Sequence, residues 1–170
     1  MHPELIIRDE LANDIDVITN ITIAAFKNLD VSEQTEHFIV NALRRSGALT
    51  ISLVAELNNK AVGHIAFSPV TFSDGTENWF GLGPVSVLPD YQNRGIGSEL
   101  IKHGLDKLRQ LEACGCCLIG HPDYYGRFGF ENIEGLEYTN APKQAIFALL
   151  FKGKLPQGQI QFHRSFNAVS

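Results

Sequence analysis

A chain of 170 residues, 44% of them hydrophobic, can bury a full core within one domain. Its formal net charge of −5 argues against nucleic acid as the main partner, while leaving room for a local anion site. No secretion-type leader opens "MHPELIIRDELAND", and the apolar "AIFALLF" falls far short of the ~20 residues of a membrane span, so a cytoplasmic protein with no membrane partner is expected.

In chain order, "ELIIRDE" reads as a strand. "NDIDVITNITIAAF" then sets Ile15, Ile18, Ile21 or Thr22, and Ala25 on one face, the spacing of a helix, with Asn13 or Asp14 as its cap. "SEQTEHFIVNALRRSG" predicts a second helix, capped by Ser32, with Phe38, Ile39, Ala42 and Leu43 on one side and its end at Gly47. The period then shortens. "TISLVAEL" and "AVGHIAFSPVTF" flank the turn "NNK" as a hairpin, and "NWFGLGPVSVL" follows the turn "SDGT" as a third strand of the meander. A helix after Gly97 presents Leu100, Ile101, Leu105, Leu108 and Leu111 to a core. "CGCCLIG" is a short apolar strand after it, so strand, helix and strand form a right-handed crossover with parallel pairing. Its thiols, Cys114, Cys116 and Cys117, have no second cluster to complete a zinc site, so no metal is expected. An odd number of close thiols also fits a reducing compartment. "DYYGRFG" is a short helical turn, and "AIFALLF" and "GQIQFH" supply closing strands. No linker, repeat or low-complexity segment divides the chain.

Gly95 and Gly97 stand where a strand hands over to a helix, although glycine weakens a helix by roughly 1 kcal/mol relative to alanine. The first backbone N–H groups of a helix have no partner within it, and the macrodipole makes that end positive. Bared by the two glycines, those groups can wrap an anion such as a pyrophosphate. Gln92 would add neutral hydrogen bonds and Arg94 a fixed charge. A Rossmann fingerprint needs a third glycine where this chain has Leu100, and neither a Walker loop nor a G-x-S-x-G elbow is present. On these residues alone, an anion cradle and a plain tight turn both remain open.

Three motifs in order narrow the choice. Gln92-Asn93-Arg94-Gly95-Ile96-Gly97 resembles the Q/R-x-x-G-x-G/A pyrophosphate loop of the GNAT superfamily of acyl-CoA N-acyltransferases. Val85-Ser86-Val87-Leu88-Pro89 resembles the strand that precedes it in that superfamily, V-x-V-x-P. Tyr125-Gly126-Arg127-Phe128-Gly129-Phe130 is similar to its Y-x-x-x-G-F element. "GHPDYYGRFGF" and the tail "FALLFKGKLPQGQIQFHRSF" further resemble a bacterial subgroup of N-acetyltransferases. The resemblance implies an α/β fold (α+β by some schemes), a single domain over 1–170. Its mixed, mostly antiparallel sheet would have six to seven strands, flanked by about four helices and splayed between the fourth and fifth strands.

The resemblance also implies a reaction. An acetyl group would pass from acetyl-CoA to a primary amine, on a small molecule or a protein, by direct attack in a ternary complex. A non-catalytic acyl-CoA sensor of the same fold is the alternative, and Tyr125 favours the enzyme. Gln92, Asn93, Arg94, Gly95, Ile96, Gly97 and Ser98 would hold the pyrophosphate of coenzyme A, with the pantetheine arm beside Val85 and Val87. The N–H of Val87 would polarise the thioester carbonyl, and Tyr125 would act as general acid toward the sulfur, with Tyr124 as a packing neighbour. Glu77, His64 and His121 are candidate bases, His121 the best placed. Relatives often carry an asparagine where this chain has Leu118, which puts pantetheine contacts on that side in doubt. Acceptor choice would come from residues 26–46 and the loop between the last two strands. There Asp30, Glu33 and Glu36 either attract a cationic amine or are simply solvated. A homodimer is left open.

Overall fold

Residues 4–170 are described by the computed structural model, so the first three positions of the expected 1–170 domain lie outside the described residues. A hairpin organises the sheet. β2 (Ile51–Leu57) and β3 (Lys60–Phe72) turn on Asn58 and Asn59, both at positive φ as a two-residue hairpin loop demands. β1 (Leu5–Asp9) adds antiparallel to β2, and β4 (Trp79–Val87) antiparallel to β3. β5 (Gly115–Ile119) is parallel to β4, as the crossover reading requires.

β5 carries Cys116 and Cys117 fully buried, and burial pushes the Cys117 thiol up to about 12, so these cysteines are packing residues. β6 (Glu131–Asn132) and β8 (Ile146–Leu150) continue the order to β1-β2-β3-β4-β5-β8-β6. β7 (Leu136–Glu137) pairs with β9 (Gly158–Phe162). The expected six to seven strands become nine because β6 and β7 are two-residue pieces with too little length to show a period. Val70 pairs with both Trp79 and Phe162, so β9 occupies the edge of β3 opposite β4.

One face of the sheet is covered by α3 (Ile96–Gln110), which buries Ile96, Leu100, Ile101, Leu105 and Leu108. Its Gly104 lies so close over Phe67 that an added Cβ would stand 2.2 Å from the ring. Leu111, expected inward, ends the helix and is 56% exposed. α1 (Ile15–Phe26) and α2 (Glu36–Ser46) cover the other face with Ile18, Ile21, Ile39, Val40 and Leu43. α2 starts three residues later than expected, with Thr35 at its N-cap position. The Ser32 hydroxyl donates to the Glu36 carboxylate at 2.7 Å instead of capping the helix, and Gln34 takes positive φ between them. Asp14 likewise does not cap α1, because its carboxylate is held by Arg8 at 2.7 Å and by the N–H of Leu11. Gly47 ends α2 in the left-handed region as expected, and the N–H of Ala48 returns to the carbonyl of Leu43.

Candidate functional site

The sheet opens within β4. β4 pairs with β5 only where residues 79–81 face 115–117; beyond that, Leu118 and Ile119 stay with β8. Residues 82–87 of β4 therefore have one edge with no strand against it among the described residues. Hydrogen-bond alternation decides which groups face that edge. Leu88 donates its N–H to the carbonyl of Val62 at 2.9 Å, so the preceding Val87, opposite Gly63, turns its own N–H and C=O away from β3. Val85, opposite Ile65, does the same. The Gln92 side chain agrees with this geometry, since its Nε2 donates to the Val87 carbonyl at 3.0 Å.

Past Val87 the chain makes a short 3-10 turn, Pro89–Tyr91, and then takes positive φ at Asn93 (63°) and Gly95 (84°) before α3 begins. Gly95 is the N-cap residue and has no side chain with which to cap. The carbonyl of Gly95 accepts from Glu99, while the N–H groups of Ile96, Gly97 and Ser98 come before the first intrahelical donor and face outward from the helix end. At Gly97 the backbone is ordinary; what glycine supplies is room, with Tyr124 Oη and Val87 Cγ2 the nearest atoms to an added Cβ, at 3.7 and 3.8 Å. Here lies a cavity of about 500 Å³, lined by Val87, Tyr91, Gln92, Asn93, Gly95, Ile96, Gly97, Ser98, Tyr124 and Arg127.

This lining differs from the sequence reading at Arg94, at Arg127 and at the two tyrosines, and Val85 is not part of it. Arg94 is not among the lining residues, and its guanidinium lies over the Tyr91 ring, 5.2 Å from the centroid. The cavity's cation is Arg127, stacked on Tyr124 at 4.5 Å and donating from Nε to the Tyr124 carbonyl at 2.9 Å. Tyr124, expected only to pack, faces the cavity, whereas Tyr125 turns inward against Phe128 and Phe130. Successive residues on a helix point about 100° apart, so α4 (Pro122–Tyr125) sends its two tyrosines to different places. Burial pushes the Tyr125 phenol up to about 12, with Tyr124 adding to the shift. A Cβ at Gly120 would collide with its ring, so the bare backbone there makes the seat for Tyr125.

The candidate bases scatter. Glu77 is exposed before β4. His121 is exposed at the start of α4, where Nδ1 accepts from the N–H of Asp123 at 3.3 Å; it caps a helix and does not line the cavity. His64 is completely buried on the opposite face of the sheet from α3. Ser52 Oγ donates to Glu10 at 2.7 Å, so His64 must donate from Nε2 to Ser52 Oγ, 2.8 Å away, and its Nδ1 carries the lone pair. Burial pushes His64 down to about 4, against the opposing pull of Glu10 and Asp14. At neutral pH it is an uncharged structural residue.

A second cavity, about 310 Å³, lies where β4 parts from β5. Leu82, Gly83 and Pro84 of β4 and Ile119 of β5 form one wall. Phe26, Glu36 and Ile39 come from α1 and α2; Tyr138, Phe162 and Phe166 come from the C-terminal third. The three rings are in contact, Tyr138 edge-to-face with Phe162 at 5.1 Å between centroids and Phe166 tilted against Phe162 at 5.4 Å. This cavity was legible only as a region, because its walls come from six separate stretches of chain. Leu118, where an asparagine was missed, is buried in the core. Among the described residues, no group of three or more His, Cys, Asp or Glu could hold a metal ion, and no helix is long and apolar enough to cross a membrane.

Comparison with known proteins gives these features a context. Residues 16–130 match the acetyltransferase (GNAT) family. The chain is 32% identical over 128 residues to YhbS, an uncharacterized N-acetyltransferase of Escherichia coli (strain K12), covering 75% of this chain and 74% of that protein. It also matches YjhQ of the same organism, 38% identical over 94 residues, 54% of this chain and 52% of that one. Among solved structures, a GNAT family acetyltransferase from Brucella melitensis in complex with acetyl-CoA superposes with a TM-score of 0.86 at 43% identity, covering 98% and 99% of the two chains. The structure of YhbS in complex with CoA superposes with a TM-score of 0.88 at 27% identity, covering 98% of this chain and 94% of that one.

Proposed function

The chain belongs to the acetyltransferase (GNAT) family, and on that premise we propose that it moves an acetyl group from acetyl-CoA to a primary amine within a ternary complex, as one domain over 1–170. The observation that carries this reading is the free edge of β4, set between an uncapped helix start and an apolar cavity. Binding of acetyl-CoA and CoA by similar proteins supports it. The N–H groups of Ile96, Gly97 and Ser98 take the pyrophosphate, with Asn93 and Gly95 shaping the loop and Arg127 supplying the charge within the cavity. Gln92 braces the strand rather than the anion. Arg94, beside the loop, adds to the positive field at longer range. The pantetheine arm runs back along the outward N–H and C=O groups of Val85 and Val87, as an added strand does.

The chemistry is a direct displacement. The lone pair of the neutral amine attacks the thioester carbonyl carbon, a C–N bond forms, and the C–S bond breaks. One proton leaves the amine nitrogen and one ends on the sulfur, giving amide and free thiol. The outward N–H groups of Val85 and Val87 are aimed at the open edge, where the one beside the thioester can hydrogen-bond its carbonyl oxygen as negative charge develops on it. Tyr125, with its phenol at about 12, keeps its proton at neutral pH. Full transfer from it to a thiolate of ordinary pKa, ~8.5, would be uphill by roughly 5 kcal/mol. On this reading Tyr125 keeps its proton and donates a hydrogen bond to the departing sulfur, a role that rests on the Y-x-x-x-G-F resemblance and not on the cavity lining, from which it is absent; the proton that completes the thiol comes from the amine through solvent. No base side chain is assigned: His121 caps a helix and His64 is buried on the far side.

Coenzyme A should raise the unfolding temperature, because a ligand bound only to the folded state stabilises it by mass action. Gly97→Asp should abolish that rise and keep the fold, since an added Cβ meets nothing closer than 3.7 Å while the carboxylate confronts the pyrophosphate. Millimolar coenzyme A that leaves the melting curve unmoved would overturn the reading. Stabilisation with no turnover across amines, amino acids, aminoglycosides and peptides would point instead to an acyl-CoA sensor.

A further inference from the structure

Acyl-CoA chemistry alone leaves the acceptor unnamed, and the second cavity narrows it. Pro84 and Val87 are three residues apart on β4, about 10 Å at the usual strand rise. The segment between them borders the phosphate-loop cavity at one end and the apolar cavity at the other. A pantetheine arm held along this edge points from the first cavity toward the second, so the second is where an acceptor meets the thioester.

Its walls are selective. Ile39, Ile119, Phe162 and Phe166 offer hydrocarbon, and among the described residues that line it Glu36 alone carries charge. An apolar body gains by leaving water here, at about 25 cal/mol per Å² buried. A single ammonium finds one counter-ion. An acceptor carboxylate finds no cation in the lining and would lose its hydration uncompensated while facing the Glu36 carboxylate. The cavity's size suits a small molecule rather than a folded protein surface.

Resting on the acyl-transfer reading above, we propose that the acceptor is a small monoamine on an apolar, ring-sized body, without a carboxylate, and that Glu36 is the residue that recognises its ammonium. Glu36 is a specificity residue in this scheme. The ammonium is held on entry and gives up one proton to solvent, and the neutral amine then attacks.

The test uses the full chain with saturating acetyl-CoA and compares 2-phenylethylamine, phenylalanine and spermidine. Phenylalanine adds only a carboxylate to the first, and kcat/KM should fall on the order of 100-fold between them. Glu36→Gln should raise KM for 2-phenylethylamine roughly 10- to 100-fold, the range for losing a charge-assisted bond, with kcat nearly constant. Calorimetric affinity of the amine for the coenzyme A complex should fall in step.

Glu36 also accepts the Ser32 hydroxyl, so Ser32→Ala is the control: it breaks the same local bond and keeps the carboxylate. Ser32→Ala should leave amine affinity unchanged. Equal losses in both variants would make Glu36 a structural residue and overturn its assignment. A preference for spermidine or phenylalanine would overturn the acceptor class while leaving acetyl transfer standing. Failure of coenzyme A itself to bind would remove the acyl-transfer reading first, and this one with it.

Discussion

Tyr124 and Tyr125 are neighbours in sequence and are divided in space, and the division can be measured. Tyr124 sits over the start of α3 with Arg127 stacked on its ring, while Tyr125 is seated against Gly120 and Phe130. Tyr125→Phe removes only a hydroxyl; kcat should fall on the order of 10²- to 10³-fold, the usual cost of one transition-state hydrogen bond, with coenzyme A affinity little changed. Arg127→Ala should do the reverse, weakening coenzyme A by roughly 10- to 100-fold and sparing kcat. Steady-state rates and calorimetry on the two variants decide it, and an unchanged kcat in Tyr125→Phe would return that ring to packing. Gly95 was legible in the sequence because a helix entrance that needs a left-handed residue favours glycine. Arg127 was not. It comes about thirty residues after the loop, and nothing in residue spacing tells that α4 folds back over α3.

At the scale of elements, α3 was the clearest of the helices to read, since its leucines and isoleucines repeat at helical spacing on one side. Less legible was the start of α2, where a side chain that looks like a cap bonds a carboxylate within the first turn. β6, β7 and the docking of β9 onto β3 depend on contacts far apart in sequence, which no local period encodes. α3 also carries a packing test. Gly104→Ala puts a methyl group 2.2 Å from the Phe67 ring, where neither the helix nor the sheet has slack. Overpacking of this kind costs roughly 1 to 3 kcal/mol, outweighing alanine's better helix propensity. Urea unfolding should show a lower midpoint with an unchanged slope. Gly97→Ala, whose added Cβ would make only ordinary van der Waals contacts at 3.7 and 3.8 Å, should leave that midpoint near the wild type or slightly above it. A Gly104→Ala protein as stable as the wild type would mean that α3 does not lie as close to the sheet as described.

For the whole molecule, the buried network beneath α1 and α2 makes stability depend on pH. Arg44 donates to Glu10 at 2.6 Å, and through Ser52 that carboxylate is joined to His64, so α2, β2, β3 and the residue that follows β1 share one chain of hydrogen bonds. Folding buries His64 and lowers it from 6.5 to about 4, desolvation outweighing the attraction of Glu10 and Asp14 while Arg44 opposes protonation. Between these values the unfolded chain binds a proton that the folded chain refuses. Stability therefore rises with pH through this window, and its contribution is fully present above about 6.5 and lost as pH falls toward 4. The span corresponds to about 3 kcal/mol from this one group. Glu10 and Asp14, both held below the usual carboxylate range in the folded state, add a further loss at lower pH, as their own protonation sets in. His64→Gln separates the two contributions, because its amide can still donate to Ser52 Oγ but does not titrate. Unfolding free energies from urea titrations at half-unit steps from pH 7.5 to 4 should decline steeply in the wild type and much less in His64→Gln, with the curves converging at the acid end. Parallel curves would show that His64 does not titrate as a buried group, and the acid sensitivity would then belong to the carboxylates.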